Sequence, residues 1–314
     1  MRAHPAGPLH GGLAVPDGIG APPPDVNAIA SHVWPHGTGR TDGVLTVAGV
    51  PVTELAREYQ TPLFALAEED FRSRTRGYQS AFEGMDVYYA GKSFLCGEIV
   101  RWLNEDGLGL DVCSGGELAL ALRAGFPAER IALHGNNKSV AELEAAVRAG
   151  VGHVVVDSHD EIGRLTTIAA AAGVIQPVLL RITVGVEAHT HEFIATAHED
   201  QKFGFSLGSG DAQEAVRRVI TSESLEFRGL HSHIGSQIFD MSGFEVAARR
   251  VVELAAAIRD QYGVVSAELD LGGGLGIAYV ESDDPPTPAD VAEALRTIVQ
   301  RECAANNLPL PRVS

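Results

Sequence analysis

Lysine is nearly absent from this 314-residue chain. Of its 24 basic residues only Lys92, Lys138 and Lys202 are lysines, which leaves 21 arginines. Arginine supplies positive charge but never a neutral amine, because its guanidinium keeps its proton, so the three remaining lysines are worth locating. Cysteine is scarce as well. Cys96, Cys113 and Cys303 are an odd number with no C-x-x-C pair, which excludes a disulfide framework and a zinc ribbon and fits a reducing cytoplasm. Positive charge as a whole is short, 24 basic against 41 acidic residues for a net charge of -17. That is the wrong sign for a protein of nucleic acid or of an anionic membrane surface. No apolar run approaches the ~18 residues of a membrane span, and no signal-peptide core follows Arg2. What is left is an ordinary globular composition, 45% hydrophobic and 21% charged, with material for a full core.

Residues 1–43 form a leader rich in proline and glycine that lacks an apolar period and reads as flexible. Residues 44–85 hold an entry strand, VLTVAGV from Val44 to Val50, and a helix that starts near Thr53. From Asp86 onward, short apolar runs alternate with alanine-rich amphipathic stretches. Seven runs are present: Asp86 to Ala90, Leu108 to Val112, Arg130 to His134, His153 to Asp157, Pro177 to Thr183, Phe227 to His233 and Glu268 to Leu271. Helix starts are marked by four capping boxes, Ser114 with Glu117, Ser139 with Glu142, Ser158 with Glu161 and Ser242 with Glu245, and by Thr287 before Pro288. Uniform strand–helix alternation without a long crossover predicts a (β/α)8 barrel over residues 86–314, with its eighth strand missing.

A barrel places its active site in the loops at the carboxyl ends of its strands. All three lysines fall in such loops, and Lys92, in YYAGKSF, sits directly at a strand end. Gly272, Gly273, Gly274 and Gly276, in LDLGGGLGI, can present a nest of amides to a phosphate, or can simply turn a tight corner. His231 and His233, in HSHIGSQ, share one strand face, and His189, His191 and His198 cluster in a polar loop. A metal is a minor reading of either group, because no carboxylate follows His231 and His233 at a useful short spacing and the other three histidines look more like a polar loop.

A lysine at a strand end, an imidazole able to stack on a ring and a glycine nest together describe a pyridoxal-phosphate site. YYAGKSF, LDVCSGGEL, HGNNKS, HSHIGSQ and LDLGGGLGI, in this order and spacing, resemble the alanine-racemase-like barrel of the group IV pyridoxal 5′-phosphate-dependent decarboxylases. Within that group they are similar to the actinobacterial branch that acts on meso-diaminopimelate, for which GVEAHTHEFIATAHEDQKFGFSL is distinctive. The resemblance runs from about Val44 to the last residue. It implies that Lys92 forms the Schiff base, that His233 stacks on the cofactor ring, and that Ser236 with the amides of Gly272, Gly273 and Gly274 holds the phosphate. Asp111 and Arg181, at inward-facing strand positions, line the pocket by the same resemblance. The implied reaction removes one carboxylate of an amino-acid substrate as CO2 and leaves L-lysine, in a cytoplasmic homodimer. In relatives the eighth strand carries an E-P-G-R motif and a β-rich C-terminal domain follows. Both are expected to be missing here, so the Val44–Val50 strand should lack its sheet and the chain alone should be inactive. Two other readings remain: a decarboxylase of ornithine, arginine or a carboxylated polyamine precursor, and a non-catalytic cofactor-binding barrel.

Overall fold

The structure is a computed structural model that describes residue 25 and residues 27–185 and 203–314. Its contacts divide the chain into two units, one running to Ala67 and including Tyr279–Glu281, the other comprising Glu68–Ala278 and Ser282–Ser314.

The first unit is built on two tight hairpins. Strands β1 (Gly39–Thr41), β2 (Val44–Val47) and β3 (Val50–Pro51) form an antiparallel sheet in that order, followed by helix α1 (Val52–Tyr59). Both connections have two central residues at positive φ, Asp42-Gly43 at 50° and 77° and Ala48-Gly49 at 50° and 80°, the geometry whose twist matches a hairpin. The Val44–Val50 stretch is therefore not one strand without a sheet. It folds back on itself at Ala48-Gly49 and pairs on both sides.

The second unit opens with α2 (Glu68–Ala81) and then alternates strand and helix: β4 (Tyr88–Ala90), α3 (Gly97–Glu105), β5 (Gly109–Val112), α4 (Gly115–Arg123), β6 (Ile131–Leu133), α5 (Val140–Ala149), β7 (His153–Val156), α6 (His159–Ala172) and β8 (Gln176–Thr183). There follow β9 (Phe205–Ser206), α7 (Asp211–Ile220), β10 (Leu225–His231), α8 (Ser242–Tyr262), β11 (Glu268–Asp270), α9 (Pro288–Ala305) and β12 (Arg312–Val313). Eight of these strands pair in parallel in the order β12-β11-β10-β8-β7-β6-β5-β4, with the short β9 attached to β8. The sheet is covered on both faces, which is why β7 (HVVV) is buried at every position. Where β10 meets β11, a Cβ on Gly229 would lie 1.8 Å from the Glu268 carbonyl, so only glycine allows this pairing.

The expectation of a missing eighth strand needs correction. Arg312 and Val313 pair with Glu268 and Leu269 of β11, and the Asp86 N–H donates to the Val313 carbonyl at 2.9 Å, which sets the last strand beside the entrance to the first. Two residues after Pro311 are too few for any periodic signal.

The caps follow the sequence in part. Ser139 with Glu142 and Thr287 with Asp290 form full reciprocal boxes, the second with Pro288 in the first turn. Ser114 and Ser158 each accept from the expected amide, but Glu117 reaches past its cap to the Cys113 N–H, and the Glu161 side chain turns inward to Lys138. Ser242 is not a cap. Asp240 Oδ1 accepts its N–H at 2.6 Å, α8 begins at Ser242 itself, and Glu245 pairs with Arg301 at 2.7 Å. Among the described residues no helix is long and apolar enough to cross a membrane.

Candidate active site

The site is assembled where the strands end. After β4 the chain passes through Gly91, whose N–H donates to the Asp111 carbonyl at 2.8 Å; a Cβ there would lie 2.9 Å from the same oxygen. This flush pairing holds the chain straight up to Lys92. Ser93 then turns it, with both its N–H and its hydroxyl donating to the Ala90 carbonyl. The Lys92 side chain is exposed, and among the described residues nothing hydrogen-bonds or ion-pairs with its ammonium. Its charge is felt by the Cys113 thiol and by the His233 imidazole.

Lys138, also in a loop at a strand end, does not join Lys92 at the surface. It is buried, and its Nζ donates to the carbonyls of Gly135 and Val155 and to Glu161 Oε1, each at 2.7 Å. Three acceptors satisfy three ammonium protons, so this lysine ties the loop after β6 to β7 and α6. Burial nevertheless pushes its pKa down and that of Glu161 up, against the attraction between them. Lys202, His189, His191 and His198 lie outside the described residues.

His233 follows β10 and is half-buried, and its Nδ1 accepts a long bond of 3.4 Å from the Gly273 N–H. Burial, followed by the neighbouring His231 imidazole and the Lys92 and Arg181 charges, pushes its pKa down to about 3. The ring is thus neutral at neutral pH, with its proton on Nε2, a flat aromatic surface rather than a cation. Arg181 projects from β8 with its guanidinium 4.3 Å from the centroid of the Phe203 ring and 3.9 Å from Asp157 Oδ1. Burial lowers its pKa, partly offset by Asp157 and Asp270. Asp111 extends from β5 to within 3.4 Å of His134 Nε2, an atom that is buried without a hydrogen-bond partner.

The glycine turn is clamped against the loop after β10. Gly272 and Gly274 have φ of 71° and 88°, and a Cβ on Gly274 would fall 1.8 Å from the Gly235 carbonyl. The Ile238 N–H donates to the Gly274 carbonyl and the Gly276 N–H to the Ile238 carbonyl, while the Gln237 amide exchanges two bonds with Ile277. Exposed Ser236 sits at this junction. A Cβ on Gly273 would meet nothing within 4 Å, so the turn shows its open side there. Gly274 is therefore glycine for a reason of backbone packing, whether or not a phosphate binds.

Sequence reasoning missed Asp270, His134 and Asp157. Asp270 is largely enclosed at the end of β11, its side chain 13% exposed, where its Oδ1 accepts the Gly272 N–H at 2.8 Å and its Oδ2 lies 2.8 Å from His231 Nδ1. Burial alone would raise its pKa, but the His231 and His134 imidazoles and the Gly272 amide outweigh that and hold the carboxyl well below the usual range. His231, neutral because of burial, meets His134 edge to face with ring centroids 5.0 Å apart. Asp157 accepts the Gly204 N–H at 2.9 Å. The signal available for Asp270 and His134 was their place as polar residues at the carboxyl ends of two apolar runs. Among the described residues no three His, Cys, Asp or Glu side chains converge to hold a metal ion.

Residues 68–312 match the model of the pyridoxal-dependent decarboxylase family, pyridoxal binding domain, and the chain belongs to this family, whose cofactor is pyridoxal 5′-phosphate. Over 291 residues, 91% of its length, it is 59% identical to the diaminopimelate decarboxylase of Mycobacterium tuberculosis, and it is 56% identical to that of Mycobacterium leprae over 323 aligned positions. It spans 65% of the length of the first relative and 68% of the second. The crystal structure of diaminopimelate decarboxylase from M. jannaschii in complex with L-lysine superposes with a TM-score of 0.81 at 31% identity, covering 88% of this chain and 65% of that one.

Proposed function

We propose that this chain is the cofactor-binding part of a decarboxylase that converts meso-diaminopimelate to L-lysine and CO2. The observation that carries the reading is the convergence at one barrel end of an exposed lysine, a neutral imidazole and a glycine turn that is sterically open at Gly273. The names of its relatives support the substrate.

The residues fit the cofactor. Gly273 leaves room where a Cβ would intrude, and His134 Nε2 is a buried polar atom still wanting a partner. The bound cofactor supplies a pyridine ring that accepts the electron pair left behind when CO2 departs. Lys92 supplies the amine that holds the cofactor's aldehyde carbon, a task arginine cannot perform. His233 offers a neutral ring face, so that stacking does not place a cation against the electron sink. Ser236 and the turn of residues 272–274 would receive the phosphate, with the Gly274 N–H as the donor the turn still offers, since the Gly272 N–H is held by Asp270 and the Gly273 N–H by His233. Asp111 and Arg181 would line the same pocket. The reading includes a homodimer in the cytoplasm, with sedimentation of the purified protein as its check.

Borohydride reduction in the presence of pyridoxal 5′-phosphate should place the label on the peptide that contains Lys92, and label on Lys138 or Lys202 instead would overturn the assignment. The protein as its organism makes it should release CO2 from meso-diaminopimelate in preference to ornithine or arginine. Preference for either of the latter would sink the substrate reading.

A further inference from the structure

We propose that Asp270 is the positioning residue of the phosphate cradle, acting through Gly272 on one side and His231 on the other. The inference rests on the cofactor reading above and deepens it. One carboxylate joins the ends of β10 and β11, the two strands whose following loops carry His233, Ser236 and the glycine turn. Oδ1 takes the Gly272 N–H at 2.8 Å and so closes a side-chain turn over the start of the cradle. That bond helps hold Gly272 in its left-handed conformation, in which a Cβ would strike the Ser232 carbonyl at 2.6 Å. Once Gly272 is fixed, the next amide, that of Gly273, points to His233 Nδ1 on the neighbouring loop. The second oxygen lies 2.8 Å from His231 Nδ1, a close polar contact that sets the carboxylate against that ring.

The contact continues beyond the pair. His231 meets the His134 ring, and His134 Nε2 lies 3.4 Å from Asp111, so the histidine beside the carboxylate is itself packed in place. A leucine at this depth would fill the barrel without the cost of desolvating a charge, so packing alone gives no reason for an aspartate here. Asp270 touches neither ring nor phosphate in this arrangement; it works by aiming groups that do.

The test uses two probes, pyridoxal 5′-phosphate and pyridoxal, which differ only in the phosphate, with capture on Lys92 measured by absorbance and by borohydride trapping. The wild-type chain should bind the phosphorylated probe far more tightly. In Asp270→Ala that preference should shrink about ten- to hundredfold, the scale of one charge-assisted hydrogen bond, while capture of pyridoxal changes less than about twofold. Asp270→Asn keeps an oxygen for Gly272 but presents an amide to His231, and its loss should fall between the two. Equal loss of both probes would reveal a merely structural role and overturn the proposal, as would an unchanged preference. If the alanine variant does not fold, the asparagine variant decides by the same ratio. A wild-type chain that captures neither probe on Lys92 would overturn the cofactor reading itself, an outcome distinct from failure in the variants alone.

Discussion

Removing the Glu161 carboxylate should be one of the most damaging single changes to the stability of the barrel, although no step of the reaction is assigned to it. The two side chains are 2% and 1% exposed for Lys138 and Glu161, and their charged atoms are 2.7 Å apart. Glu161→Ala leaves a buried ammonium with two carbonyl acceptors and no counter-charge, a loss of about 3–5 kcal/mol by comparison with other broken buried pairs. For a domain of this size, that corresponds to a Tm lower by roughly 6–20 °C. The pH dependence gives a second signature. Burial already lowers the Lys138 pKa in the fold, and loss of Glu161 lowers it further, whereas the unfolded chain keeps the ordinary value of about 10.4. Between those values the unfolded state binds more protons, so the variant should gain stability as pH rises from 7 towards 10, more steeply than the wild type and by at most about 1.4 kcal/mol per pH unit. Urea denaturation at pH 7, 8.5 and 10 measures both effects, and the double variant Lys138→Met/Glu161→Leu should recover most of the loss. A loss below about 1 kcal/mol at pH 7 with a flat pH profile would refute the reasoning.

Other tests separate phosphate binding from packing. Gly273→Ala should leave the denaturation midpoint unchanged, since its methyl group meets nothing, yet weaken pyridoxal 5′-phosphate binding at least about tenfold by crowding the cradle; unchanged affinity would make the glycine turn a mere corner. Gly274→Ala should instead destabilise the apoprotein by several kcal/mol, about 3 or more, because its Cβ would overlap the Gly235 carbonyl; a normal midpoint would contradict the clamp between the loops. Because the His233 pKa is pushed down to about 3 in the fold from the ordinary 6.5, its contribution is present above pH 6.5 and is lost as pH falls from there towards 3. His233→Asn should flatten the apoprotein's loss of stability over that window, and an unaltered slope would count against a buried neutral ring.

Strand and helix order was legible because each barrel run is short and apolar and several are followed by a cap, and Ser139 with Glu142 and Thr287 with Pro288 behave as their spacing says. The signal failed where a residue answers to a distant partner. Glu161 has the spacing of a capping box, but the buried Lys138 ammonium, 23 residues earlier, claims its carboxylate. Ser242 loses its cap role because Asp240, two residues before it, takes its amide. At the site, Lys92, His233 and the glycine turn were recognisable from their position at strand ends. The His134–His231–Asp270 contact joins three strands, and no local pattern in one strand announces what the next will place beside it.

The scarcity of lysine, combined with the burial of Lys138, gives the chain an unusual chemical address. Amine-directed reagents such as activated esters or aldehydes find, among the described residues, one lysine locked behind three hydrogen bonds and one open to solvent. Between these two lysines, a probe or an inhibitor with only mild electrophilicity would therefore sort itself onto Lys92 by access alone, and the 21 arginines that carry most of the positive charge would not compete for it.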